Sequence, residues 1–79
     1  MPEVKAIRED LYRLVKNYPA IKQVHGFYVD VETNVVSFDL IIDYEAPNQE
    51  EIKNSLVQEL SELHKNYQFF VVLDYDFAD

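Results

Sequence analysis

Two histidines and a run of aspartates are the residues of this 79-residue chain best suited to chemistry. His25, Asp39, Asp43, Asp74 and Asp76 supply one imidazole and several carboxylates, a donor set that suits zinc or a harder divalent ion such as manganese or iron. Asp74 and Asp76 stand as Asp-x-Asp near the C-terminus, a spacing that in a strand turns both carboxylates to one face. Cysteine is absent, which excludes thiolate chemistry and disulfides and fits a reducing compartment. The hydroxyl residues Thr33, Ser37, Ser55 and Ser61 lie in no nucleophile elbow. With Gly26 as the single glycine, no Gly-rich phosphate loop exists. The sequence therefore predicts a binding or assembly module rather than an enzyme. His64, followed by Lys65, reads as a residue of a helix C-terminus, where positive charge is favourable, and not as a ligand.

Those side chains must be positioned by few elements. From Pro2 to Tyr18 the apolar residues Val4, Ile7, Leu11, Leu14, Val15 and Tyr18 recur at helical spacing. Lys5, Arg8, Glu9, Asp10 and Arg13 fall on the solvent side, and Pro19 ends the helix. Val24–Val31 is rich in β-branched and aromatic residues, Glu32-Thr33-Asn34 reads as a tight turn, and Val35–Tyr44 is a second strand, so the pair forms an antiparallel hairpin. Val36, Phe38, Leu40 and Ile42 share one face of the second strand. Val35, Ser37, Asp39, Ile41 and Asp43 share the other. Asn48 and Glu51 have capping-box spacing, ahead of a helix with Ile52, Leu56, Leu60 and Leu63 on one stripe. Tyr67–Asp74 is a third strand, with Asp76 continuing the parity of Asp74.

A strand–helix–strand crossover makes the second and third strands parallel neighbours. The expected fold is a single α+β domain over residues 1–79: ferredoxin-like αββαβ, a three-stranded mixed sheet with two helices on one face. Tyr28, Val35, Ile41, Phe70 and Val72 then fall on the face away from the helices. So much exposed apolar surface suggests a covering partner, most simply a second copy. A single core of this size supplies about 3–5 kcal/mol, so a partner or a metal would add useful stability.

Net charge is −8, with 15 acids against 7 bases. Such a field repels phosphate backbones and anionic lipid, so nucleic acid is not an expected partner. No apolar run spans a membrane, and the N-terminus has no apolar leader core.

The succession of segments resembles a known family. Tyr18-Pro19-Ala20-Ile21 followed by Val24-His25-Gly26-Phe27 resembles the start of the cytosolic C-terminal domain of cation diffusion facilitator transporters. The Val36–Asp43 strand, the Asn48-led helix and the closing Val71-Val72-Leu73-Asp74-Tyr75-Asp76 are similar to it in order and spacing. The resemblance implies a cytoplasmic regulatory domain of a divalent-cation efflux transporter, attached to a transmembrane domain, that forms a homodimer and binds metal near the dimer interface. By position it implies His25, Asp39, Asp74 and Asp76 as ligands. The chain departs from the family pattern in carrying Asp where His is common at Asp39 and Asp74. It also has no ligand near Ile52-Lys53, where some members place one. The rival expectation is a constitutive homodimerisation module of the same fold with no metal role.

Overall fold

The computed structural model describes residues 1–76. Its elements are α1 (Pro2–Val15), β1 (Ile21–Asp30), β2 (Val35–Asp43), α2 (Gln49–Leu63) and β3 (Gln68–Asp76). The sheet order is β1-β2-β3, with β1 antiparallel and β3 parallel to the central strand. This is the expected αββαβ, ferredoxin-like mixed sheet.

Alternation along β2 decides where the core sits. Val36, Phe38, Leu40 and Ile42 are all but fully buried. They meet Ile7, Leu11 and Leu14 of α1 and Ile52, Leu56 and Leu60 of α2, with Ile21 at the margin. Both helices therefore cover the same sheet face. Burying each such side chain contributes about 1.5–3 kcal/mol, the main favourable contribution in a domain this small.

The element ends differ from expectation for local reasons. α1 stops at Val15, three residues before Tyr18. The Asn17 and Tyr18 amides donate to the Leu14 and Val15 carbonyls, at 2.9 and 3.0 Å, and carry the chain through a turn into Pro19. β1 begins at Ile21 rather than Val24, because Ile21 is buried opposite Ile42; the neighbouring Ala20 carbonyl accepts from the Asp43 amide at 2.8 Å. His25 is consequently in mid-strand and does not begin it. The hairpin turn takes in Val31 as well as Glu32–Asn34. Asp30 Oδ1 accepts from the Glu32 amide at 3.0 Å, an Asx turn, and Asn34 adopts φ 56°, a left-handed conformation that asparagine tolerates well. β3 starts one residue later and ends two residues later than its apolar run indicates, because pairing with β2 continues to Asp76.

Two expectations about the helices are corrected. Asn48 is the N-cap of α2 but makes no side-chain cap bond, so the capping box does not form; the Asn48 carbonyl accepts from the Ile52 amide at 3.0 Å. Asp10 is not on the solvent side. It turns toward the end of α2, where its Oδ2 lies 2.7 Å from His64 Nε2, with the two side chains only 28% and 15% exposed. Arg13 reaches the other carboxylate oxygen at 3.3 Å.

Partial burial works to raise the pKa of Asp10, but the hydrogen bonds and positive charge of His64 and Arg13 outweigh it and hold the pKa below its ordinary value. The stabilisation from this depressed pKa is fully present above the ordinary carboxylate pKa of about 3.9 and is lost as pH falls through the lower folded value. Asp10→Asn should therefore lower the urea midpoint at pH 6, by up to about 1 kcal/mol of stability for so open a pair. The gap to the parent should close as pH falls through the lowered folded value. A gap that persists below that value would assign the effect to packing instead.

Two tyrosines join the helices to their surroundings in the same way. Tyr18, in the α1–β1 connection, donates its hydroxyl to Glu59 of α2. Burial and that carboxylate push the phenol up to about 12, against a small opposing pull from the Ser55 hydroxyl. Tyr67 donates to Glu3 at 3.1 Å, and desolvation with that carboxylate raises its pKa too.

Candidate functional site

The face of the sheet away from the helices is the one surface on which the candidate ligands can meet. Strand register arranges it in rows across β1, β2 and β3. They run Asp30–Val35–Gln68, Tyr28–Ser37–Phe70, His25–Asp39–Val72 and Gln23–Ile41–Asp74, closing with Asp43–Asp76 on β2 and β3. None of these positions holds lysine or arginine. Asp30, Asp39, Asp43, Asp74 and Asp76 make the face acidic. In its middle Tyr28, Phe70 and Val72 are 63%, 61% and 61% exposed, as their parity leads one to expect.

His25 and Asp39 are direct cross-strand partners. A bulge follows this pair directly. Between the pairs His25–Asp39 and Tyr28–Ser37, β1 contains one residue more than β2. Gly26 absorbs it with φ +65°, the left-handed position that a bulge of this kind reserves for glycine. A Cβ built there would sit 3.5 Å from Asp39 Oδ2, so the carboxylate leans over the glycine. Beyond the bulge Phe27 turns toward the core, where Arg8 of α1 stacks over its ring at 5.1 Å.

Asp74 and Asp76 lie elsewhere on the face. Asp74 pairs with Ile41, and Asp76 with Asp43. At ordinary strand spacings, Asp39 and Asp74 are roughly 8 Å apart at Cα, and His25 and Asp76 roughly 16 Å. The four residues implied as ligands thus fall into separated groups: His25 with Asp39, and Asp76 with Asp43, with Asp74 between the two. Some of these carboxylates already have backbone partners. Asp43 Oδ1 accepts from the Glu45 amide at 3.0 Å and Asp74 Oδ1 from the Tyr75 amide at 2.8 Å. Among the described residues, no group of three or more His, Asp or Glu is close enough to hold a metal ion.

Beside the Asp43–Asp76 row, Tyr44 and Tyr75 pack edge to face with ring centroids 6.1 Å apart. Sequence reasoning gave neither a role. On the opposite side of the molecule, an open groove of about 620 Å³ is lined by Arg13, Leu14, Glu59, Glu62, Leu63 and Lys65, remote from every candidate ligand. The Asp10–His64 contact beside it was also missed. Its sequence signal is that Asp10 lies three residues after Ile7 and four before Leu14, in line with the apolar stripe.

What the fold and this face define is a class: a small α+β, ferredoxin-like αββαβ domain with one sheet face uncovered, acidic at its margins and apolar at its centre. Compared with known families and with curated proteins, the chain matches no family model and no curated sequence. Among the described residues, no helix is long and apolar enough to cross a membrane.

Proposed function

We propose that the chain is a cation-responsive regulatory and dimerisation domain, of the kind that cation diffusion facilitator transporters carry on the cytosolic side of the membrane. The observation that carries this reading is the uncovered sheet face. It gathers the acids named above and His25, holds no lysine or arginine at its paired positions, and exposes Tyr28, Phe70 and Val72. Bringing two such faces near one another opposes like charges. A divalent cation bound by these carboxylates lowers that cost, so a cation that binds the assembled state more tightly promotes assembly. Because one chain supplies only separated groups of ligands, water or a second copy has to complete the coordination of any ion held there.

Calorimetry with zinc, manganese and iron(II) on chelator-treated protein tests this. Saturable binding is expected at roughly tens of micromolar or tighter, equivalent to about −6 kcal/mol or better. Asp74→Ala combined with Asp76→Ala should weaken it at least tenfold, and sedimentation should show metal-dependent mass. No saturable binding, or binding untouched by the double substitution, would sink the metal role.

The exposed Tyr28, Phe70 and Val72 also favour a second reading, a constitutive homodimer with no metal role. Association of equal strength with and without chelator would select it.

A further inference from the structure

The two edges of the sheet are built differently. β1 carries two register shifts, one between Ile21 and Gln23 and one between His25 and Tyr28, and it contains Lys22. Bulges and lysines are the devices by which edge strands avoid pairing with other chains. β3 has neither. Its register with β2 is unbroken from Gln68 to Asp76, and that segment contains no Lys, Arg, Pro or Gly. Among the described residues no element lies beyond it.

Backbone parity shows which groups this edge offers. The Gln68 amide donates to the Asn34 carbonyl at 2.9 Å, and the Asp76 carbonyl accepts from Tyr44 at 3.3 Å. Even-numbered residues of β3 thus aim their main-chain groups at β2. Main-chain groups alternate sides along a strand, so the N–H and C=O of Phe69, Val71 and Leu73 point outward.

We infer that β3 is the strand by which the domain pairs with a second copy of itself, antiparallel and about a two-fold axis at Val71. Charge placement selects this arrangement. The acids of β3, Asp74 and Asp76, are at its C-terminal end, whereas Gln68 and Phe70 at the other end are uncharged. Parallel pairing in register would set Asp74 against Asp74. Antiparallel pairing about Val71 sets Asp74 against Gln68, and Phe70 of one copy against Val72 of the other. Phe69 then exchanges backbone hydrogen bonds with Leu73, and Val71 with its own equivalent. The two copies share one six-stranded sheet, and the exposed Phe70 and Val72 side chains close into a cross-strand cluster. Two-fold closure leaves the bulged β1 strands as the outer edges. This deepens the self-association reading above and rests on it, but it does not need the cation.

Amide exchange measured by NMR over a hundredfold range of protein concentration tests the pairing. The Phe69, Val71 and Leu73 amides should gain at least tenfold protection as concentration rises, while those of Phe70 and Val72, held by β2, change little. Since the chain has no cysteine, Phe70→Cys combined with Val72→Cys should form a disulfide-linked dimer under mild oxidation, at least tenfold faster than a Tyr28→Cys control on β1. Protein that dimerises by sedimentation while the Phe69, Val71 and Leu73 amides stay unprotected overturns the β3 contact and leaves self-association standing. Protein that remains monomeric at every concentration, with and without metal, overturns both.

Discussion

Phe38→Ala should leave a large fraction of the protein unfolded at 25 °C. Phe38 is 2% exposed, at the centre of β2, and is among the largest fully buried side chains. It stands between Val36 and Leu40, on the face that both helices cover. Truncating a buried phenylalanine costs about 3–5 kcal/mol, from lost transfer energy together with the cavity left behind. A domain this small has about that much stability in total, so nothing remains to hold the fold. Circular dichroism in a urea titration should show a transition displaced to near zero denaturant. Phe38→Leu, which keeps most of the volume, should lose only about 1–1.5 kcal/mol. A cooperative transition in Phe38→Ala at the parent midpoint would mean that the core lies elsewhere.

The second large effect is expected at Gly26. Its φ of +65° lies in the region that β-branched side chains avoid, and forcing an L-residue there costs about 1–3 kcal/mol. Gly26→Val carries this backbone strain in full, although its Cβ would meet the Asp39 carboxylate at an ordinary contact distance of 3.5 Å. A loss of about 2 kcal/mol or more is expected. Deleting Gly26 should be milder than substituting it. With one residue fewer, Phe27 falls opposite Phe38 between the existing pairs His25–Asp39 and Tyr28–Ser37, and every other side chain keeps its face. Urea titrations of the parent, Gly26→Val and the deletion should therefore rank in stability as parent, deletion, valine. A valine variant as stable as the parent would show that the bulge does not demand glycine.

The deletion bears on function as well as on stability. β1 and β2 could run as a regular ladder without the extra residue, so the alternation of faces alone does not require a bulge. What the bulge adds is local. It brings the Asp39 carboxylate over a residue without a side chain, next to His25, and it blunts the outer edge of β1. The chain thus has one interrupted edge and one clean edge, the asymmetry on which the proposed pairing through β3 rests.

Much of this molecule was legible in its sequence because the relevant signals are local. The pleat of a strand is a property of consecutive residues. Val36, Phe38, Leu40 and Ile42 therefore declared themselves as core, and Asp39, Asp43, Phe70, Val72 and Asp74 as residues of the opposite face. Helical spacing likewise marked Ile7, Leu11, Leu14, Ile52, Leu56 and Leu60. A crossover helix between two strands left little freedom in topology. Parity, however, says only that two residues share a face. Their separation on that face depends on register, which is fixed by pairing between distant segments and by bulges. Tertiary structure alone therefore set His25 beside Asp39, set Asp76 beside Asp43, and kept these pairs apart. The same holds for Asp10 and His64. Each looked like an ordinary helix residue in its own segment, and only the packing of α1 against α2 brought together two side chains 54 positions apart in the chain. The sequence by itself determined which faces exist and what chemistry each carries; the non-local pairing of strands and helices decided which of those residues touch.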